Sequence, residues 1–360
     1  SAVRRSGRPV YTGRFSANGL ALALSLSYAV DKAGRLTVSA ALQNEADTAT
    51  PPFRASLRLG FDTFLAQYPD YNDQLFPTLL RCEKTHLWGY FSSPSGRLLA
   101  LFTDAPTASY TLDYEKNAQG LFTASLDLLQ PGRLPARHPQ GLDRLSAGEK
   151  KTWHVTLLPV GPLYGIGAIK PAIAAASLLP VLHAGRYTLA ADEACRVTVF
   201  SRSPLPENTL TLNGPDGGTR RLPLEPDKPG VYRALFRAAG AAPGLYTARV
   251  RNAAGYEAEM CLFVRRPWSW YIQAARKAAA DAPQKASTHA ESWYGCYSAY
   301  TARRYFPDAV LDGRLERRFH EVYPLLYQSG TGLPLVQEDR IQNHSSMLGI
   351  FVCRYACTAD

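Results

Sequence analysis

The sequence has 360 residues, of which 46% are hydrophobic, and a formal net charge of +10. This length exceeds the size at which a single core usually stops growing, so we expect two or three domains. No run of about 18 apolar residues occurs, so the sequence predicts no membrane-spanning helix. The six cysteines form no C-x-x-C pair, so it also predicts no metal site, and nothing in it indicates a cofactor.

The positive charge raises the question of a polyanionic partner, although on charge alone a soluble basic protein without such a partner is the simpler interpretation. Arg and Lys are spread along the chain, and no recognition helix is visible, so the sequence does not predict nucleic-acid binding. An acidic polysaccharide would profit from the same long-range field. The sequence leaves the oligomeric state open.

Residues 1–160 alternate apolar and polar side chains with a period of two. The alternation is clearest at 20–30 and 36–42, which flank a turn at 31–34. Further strands are predicted at 56–59, 87–92, 98–103, 121–128 and 152–158. Many short strands without intervening helices indicate an antiparallel β-sandwich.

Within this first domain, residues 62–90 are rich in aromatic side chains. Trp88 is the largest of them, and basic residues accompany it. Flat rings stack on sugar rings, and basic groups bind hydroxyl or carboxylate oxygens. We therefore take Trp88 as a candidate substrate-binding residue, although a loop held together by its own aromatics has the same composition.

The middle of the chain predicts a linker and a second β domain. Residues 161–183 are rich in Gly, Ala and Pro, which is typical of a linker. Residues 184–265 contain a strand about every ten residues, with Gly, Pro, Asn and Asp at the turns. This spacing predicts an immunoglobulin-like domain that acts as a spacer.

Residues 266–360 have helical patterns and are predicted to form a domain of antiparallel helical hairpins. Helices are expected at 267–283, 290–305 and 311–328, with a fourth from 343 onward. In the second helix, one face carries a polar and aromatic stripe, formed by His289, Trp293, Tyr297, Tyr300 and Arg304. Such a stripe suits a wet groove that binds flat polar rings, although a helix packed against another domain is the alternative.

Two stretches of this domain, ESWYGCYSAYTARRYFPD and EDRIQNHSSMLGIFVCRYACTAD, together with the domain order, support a family resemblance. The chain resembles secreted bacterial carbohydrate-active enzymes built on an (α/α) toroid, namely six-hairpin glycosidases and toroid polysaccharide lyases. The resemblance implies a partial toroid, the front part of a longer enzyme, and a periplasmic or secreted location. It also implies an acidic glycan as the substrate.

The resemblance implies two alternative sets of catalytic residues. For β-elimination, Asn343 would neutralise the uronate carboxylate and His344 would remove the neighbouring proton. A histidine in a first helical turn is favoured as the neutral base by the helix field. Asn343 capping a helix beside a structural His344 is the simpler interpretation.

Hydrolysis needs two carboxyl groups across the glycosidic bond, and the candidates are Glu291, Glu338 and Asp339. Arg340 lies beside them as a candidate substrate-binding residue. The N-terminal β domains favour a glycoside hydrolase that acts on an acidic, glucuronate-containing glycan. The Asn-His pair favours a lyase, and a non-catalytic carbohydrate-binding or structural protein is the third alternative.

Overall fold

The computed structural model describes residues 2–5, 8–61, 70–113, 122–161, 165–281, 302–326 and 330–331. The chain divides into two compact units, residues 1–264 and 265–360. The first unit contains two β-sandwiches in succession, and the second contains helices.

Strands β1 to β11 form the first sandwich. Their bounds are Ala2–Arg5, Arg8–Ala17, Leu20–Val30, Leu36–Asn44, Ala55–Phe61, Phe76–Cys82, Leu87–Ser92, Leu98–Thr103, Ser109–Asp113, Phe122–Leu129 and Lys150–Val160. One sheet has eight strands in the order β1-β2-β3-β4-β11-β8-β7-β6, and the facing sheet has three in the order β5-β10-β9. All strand pairs that the structure describes in these two sheets are antiparallel. These strands form a β-sandwich, as the period-two alternation indicates.

The core of the first sandwich lies between these two unequal sheets. Leu126 on β10 and Val155 on β11 are buried in one cluster, which also contains Leu101 of β8. In β4, buried and partly buried side chains alternate as the period of two requires. Trp153 is buried in a neighbouring cluster, and its indole N–H donates to the carbonyl of Pro106 at 2.8 Å.

The opposite face of the eight-stranded sheet packs against helix α1 (Ile169–Ala176). Ile169 and Ile173 of this helix are buried with Phe102 of β8. The segment 161–183 that the sequence suggests as a linker thus carries a short helix, and strand β12 begins at Val181.

Strands β12 to β20 form the second sandwich. Their bounds are Val181–Ala184, Thr188–Leu189, Ala194–Phe200, Thr209–Asn213, Thr219–Pro223, Glu225–Lys228, Val231–Arg237, Gly244–Arg251 and Glu257–Val264. One sheet has four strands in the order β12-β14-β18-β17, and the other has five in the order β13-β20-β19-β15-β16. Both sheets are antiparallel, apart from a short parallel pair between β13 and β20.

The core of the second sandwich is a single large cluster of buried side chains contributed by both sheets. Phe236 of β18 and Tyr246 of β19 meet in it, with ring centroids 5.3 Å apart. The Tyr246 hydroxyl donates to the carbonyl of Ala242 at 2.9 Å, which satisfies the polar end of a buried ring.

The second unit contains helices α2 (Trp268–Asp281) and α3 (Ala309–Leu326). Arg276 of α2 is fully buried and forms an ion pair with Asp312 of α3. It also donates a hydrogen bond to the carbonyl of Phe306. The Asp312 carboxylate accepts from the backbone N–H of Asp308 at 3.1 Å, so it also fixes the start of α3.

The predicted helical hairpins and partial (α/α) toroid are wrong, and so is the resemblance to toroid enzymes. Strands make up nearly half of the described residues, and the described α-helices are α1, α2 and α3, of which only two belong to the second unit. The second and fourth helices predicted from the sequence fall almost entirely outside the described residues. A period of 3.6 residues identifies a single helix, but it carries no information about how many helices pack together.

In the ranges that the structure describes, no helix has the length and apolar character that a membrane crossing requires.

Candidate functional site

Most of the sequence-predicted site residues lie outside the described ranges. These are His289, Glu291, Trp293, Tyr297, Tyr300, Glu338, Asp339, Arg340, Asn343 and His344. Arg304 and Trp88 are described. Arg304 is exposed and follows Arg303, whose guanidinium lies 4.0 Å from the carboxylates of Asp312 and Glu316.

Trp88 lies on β7 with 3% of its surface exposed. It belongs to the buried cluster between the eight-stranded sheet and α1. Its indole N–H points to Glu83 Oε1 at 3.4 Å, and Lys170 Nζ lies 5.8 Å from the ring centroid. A sugar ring cannot stack on a buried indole, so the structure places Trp88 in the core and not at a sugar-binding surface.

The Glu83 carboxylate lies at the junction of the two sandwiches. Arg81 Nε donates to Glu83 Oε1 at 2.6 Å, and the backbone N–H of Glu259 on β20 donates to Glu83 Oε2 at 3.2 Å. Burial raises the pKa of Glu83, and the Arg81 charge opposes this effect. Because its partners hold it and its exposure is only 3%, Glu83 connects the sandwiches and does not face substrate.

His86 belongs to the same junction and is fully buried. Its Nδ1 lies 3.0 Å from Thr85 Oγ1, and Nε2 has no hydrogen-bond partner among the described residues. Burial, assisted by the Arg81 charge, lowers the pKa of His86 to about 3. Thr85 Oγ1 also accepts from the backbone N–H of Glu257 at 3.0 Å. The junction therefore contains a neutral imidazole that is hydrogen-bonded to the Thr85 hydroxyl.

A groove of about 720 Å³ opens on the first sandwich. It is lined by residues of β2, β3 and β4 of the large sheet, by residues 55–57 of β5 and by Leu128 of β10, and its lining is mostly apolar. Tyr11, Phe15 and Leu24 line it and are 47%, 46% and 39% exposed. At its rim, Arg14 pairs with Glu45 at 2.9 Å. This groove offers rings for stacking but few hydrogen-bonding groups.

A polar groove of about 550 Å³ opens on the second sandwich, along β15 and β19. Thr211 on β15 lies opposite Arg249 on β19, whose Nε donates to Glu259 at 2.6 Å. Arg251 is exposed and has no ion-pair partner among the described residues. Guanidinium and hydroxyl groups on one sheet face suit a hydroxyl-rich or anionic ligand.

The interpretation of residues 184–265 as a spacer leaves this second groove out of the predicted site. The available signal was two pairs of polar residues, Arg249 and Arg251 on β19 and Thr209 and Thr211 on β15. Each pair points to one sheet face at a spacing of two residues. Among the described residues, no group of three or more His, Cys, Asp or Glu side chains could hold a metal ion.

Comparison with solved structures shows a likeness across nearly the whole chain. A polysaccharide lyase superposes with a TM-score of 0.66 and 12% sequence identity, over 97% of this chain and 55% of that chain. The chain thus spans about half the length of this structure. At such low identity the likeness concerns the fold alone.

Two further structures are more distant. A putative aldose 1-epimerase from Escherichia coli K12 has a TM-score of 0.23 and 14% identity, over 44% of this chain and 67% of its own. The SGBP-B protein of a Bacteroides ovatus mixed-linkage glucan utilization locus, solved with a mixed-linkage heptasaccharide, has a TM-score of 0.19 and 11% identity. That likeness covers 66% of this chain and 54% of the other. Neither score supports a structural argument. No family model and no curated protein matches the sequence.

Proposed function

We propose that this chain is part of a protein that degrades an acidic polysaccharide by β-elimination. The observation that carries the proposal is the fold shared with a polysaccharide lyase over 97% of the chain. The net charge of +10 supports an anionic substrate, because a positive field raises the local concentration of a polyanion. Since polymers of this kind are degraded outside the cytoplasm, we also propose a periplasmic or secreted location.

The chemistry needs a base and a group that masks the uronate carboxylate. The base removes the proton from C5, the electron pair forms the C4–C5 double bond, and the bond from C4 to the glycosidic oxygen breaks. The leaving oxygen then takes a proton. Masking the carboxylate lowers the cost of the charge that develops when the proton leaves.

For these roles we propose His344 as the base and Asn343 as the group that binds the carboxylate. A neutral imidazole accepts a proton near pH 7, and a side-chain amide donates hydrogen bonds to a carboxylate. Arg304 and Arg340 are proposed to position the acidic chain, because a guanidinium binds a carboxylate through two parallel hydrogen bonds.

The test is the incubation of the purified protein with polygalacturonate, alginate and hyaluronate. Elimination produces an unsaturated uronate, so ultraviolet absorbance should rise together with new reducing ends. His344→Gln should lose at least about 100-fold in rate, as expected for the loss of a general base. His320→Gln, on α3 and exposed, is the matched control and should retain the rate.

Hydrolysis is the other outcome of this experiment. New reducing ends without ultraviolet absorbance would overturn the elimination proposal and direct attention to Glu291, Glu338 and Asp339, since hydrolysis uses paired carboxyl groups. In that case Glu338→Gln or Asp339→Asn should abolish the release of reducing ends, and His344→Gln should not.

A further inference from the structure

The start of the second unit carries an exposed cluster of aromatic and basic side chains. Arg265, Arg266, Trp268, Trp270 and Tyr271 form it, and we call it the Arg–Trp platform. The Arg265 guanidinium carbon lies 4.7 Å from the Trp268 ring centroid. The Arg266 guanidinium carbon lies 4.7 Å from the Trp270 ring centroid. The platform thus consists of two guanidinium–indole pairs, one per tryptophan.

The two indoles are exposed to an unusual degree, with 63% of Trp268 and 48% of Trp270 accessible. Large aromatic side chains on a surface commonly mark a binding site. The guanidinium covers part of each indole, and about half or more of each tryptophan stays accessible to a ligand. Each tryptophan of the platform can therefore receive a flat ring from solvent.

The platform is also fixed in place before any ligand binds. The Tyr271 ring packs against both indoles, with its centroid 6.0 Å from that of Trp268 and 5.0 Å from that of Trp270. Its hydroxyl accepts from the backbone N–H of Arg266 at 3.3 Å. Side chains held by such contacts lose less conformational entropy on binding, which favours affinity.

The charge of the platform selects an anionic ligand. No carboxylate among the described residues pairs with Arg265 or Arg266, although most other ion pairs of the structure join Arg to Asp or Glu. Each guanidinium keeps N–H groups for a carboxylate while its flat face rests on an indole. Rings for stacking next to donors for a carboxylate match a polymer of uronate sugars.

We propose that the Arg–Trp platform is a binding subsite for a uronate polysaccharide, in which Trp268 and Trp270 stack on sugar rings and the arginines bind the carboxylates. This proposal rests on the proposed function for its substrate class, but it concerns binding and needs no turnover. Single-stranded nucleic acid also combines flat rings with negative charge. The fold shared with a polysaccharide lyase favours the uronate polymer.

The first experiment is isothermal titration of the intact chain with oligogalacturonate, oligoalginate and oligohyaluronate. Trp268→Ala/Trp270→Ala should weaken binding about 10-fold or more, because each stacked ring contributes a substantial share of the affinity. Tyr305→Ala removes another exposed aromatic side chain of the same unit and should leave the affinity unchanged.

The second experiment separates specific binding from general electrostatic attraction. Arg265→Gln/Arg266→Gln should weaken binding about 10-fold. Arg220→Gln/Arg221→Gln, on exposed positions of β16, removes the same charge and should have a small effect. Methyl-esterified oligogalacturonate, which lacks the carboxylates, should bind the native protein weakly. Circular dichroism verifies that each variant is folded.

The outcomes distinguish this proposal from the proposed function. Four results would each contradict the platform proposal. The two arginine variants could lose equal affinity, or the tryptophan variant could bind as tightly as the native protein. The protein could also bind oligothymidylate more tightly than any uronate oligomer, or it could bind none of the three acids. If the platform variants lose binding while the native protein depolymerises no uronate polymer, the platform stands and the elimination proposal fails. If depolymerisation proceeds with the native KM in the tryptophan variant, the elimination proposal stands and the platform fails.

Discussion

The two sandwiches of residues 1–264 differ in how far their sheets cover each other. In the first, eight strands face three, whereas in the second, four face five. The first sandwich consequently leaves part of its large sheet open, with Phe15 half exposed in an apolar groove. The second has one large buried cluster to which both sheets contribute, and it presents a polar groove on its outer face.

The difference shows that the same period-two pattern produces two kinds of surface. An alternating strand buries one face only where a second layer covers it. Leu24 of β3 is 39% exposed, whereas Leu212 of β15 is fully buried. The side chains that stay exposed along the groove of the first sandwich, such as Phe15 and Leu24, should therefore contribute little to stability. Leu22 and Leu128 also line it, but they belong to the core.

The largest expected effect contrasts two phenylalanines. Phe236→Ala removes a ring that is 1% exposed in the second core and should reduce the free energy of unfolding by about 3–5 kcal/mol. Phe15→Ala removes a ring that already contacts water and should cost less than about 1 kcal/mol. Equilibrium unfolding in urea measures both values. Equal losses would show that the groove of the first sandwich is closed in solution.

The junction between the sandwiches should give the next largest effect, through His86. The folded-state pKa of about 3 lies below the ordinary value of about 6.5. The stabilisation by neutral His86 is therefore complete above about pH 6.5 and is lost progressively as the pH falls towards 3. Between pH 6.5 and 5, the free energy of unfolding should fall by about 2 kcal/mol from this group.

A comparison with His86→Gln isolates this contribution. Glu83 at the same junction has a raised pKa, so its effect on stability has the opposite sign and is lost as the pH rises through that pKa. Glu83 is present in both proteins, so the difference between their pH profiles reports the imidazole. Parallel profiles for the two proteins would contradict a buried, neutral His86.

The smallest effect contrasts two arginines of the first sandwich. Arg54 donates from Nε and Nη2 to Asp127 Oδ1, at 3.0 and 2.9 Å, and Asp127 is fully buried. Arg54→Ala leaves a buried carboxylate without its counter-ion and should cost about 1–2 kcal/mol. Arg14→Ala breaks only the exposed pair with Glu45 and should cost less than about 1 kcal/mol. Thermal unfolding of both variants tests this order.

Much of the strand content could be predicted because it depends on local pattern. Strands β7 and β8 have the bounds that the alternation and the flanking turns predict. The order of strands in the sheet could not be predicted, since β11 pairs with both β4 and β8 across long stretches of sequence. Trp88 is a related case, because helix α1, about eighty residues later, covers the sheet face on which it lies.

Most of the candidate site residues stay predictions, because they lie outside the described residues. The aromatic stripe lies almost wholly outside the described residues, and among its members only Arg304 is described. The platform sequence RRPWSWY predicts only the start of a helix at Pro267. Two arginines followed by two tryptophans indicate a basic and aromatic surface. The stacking of each guanidinium on an indole, however, depends on side-chain geometry that the periodicity of the sequence does not encode.

The measurement that tests the central claim most directly is the ultraviolet absorbance of uronate polysaccharide incubated with the protein. We predict that absorbance rises in step with new reducing ends and that His344→Gln abolishes both signals while His320→Gln does not. Reducing ends without absorbance, or neither signal with polygalacturonate, alginate and hyaluronate, would contradict the proposal that this protein takes part in polysaccharide elimination.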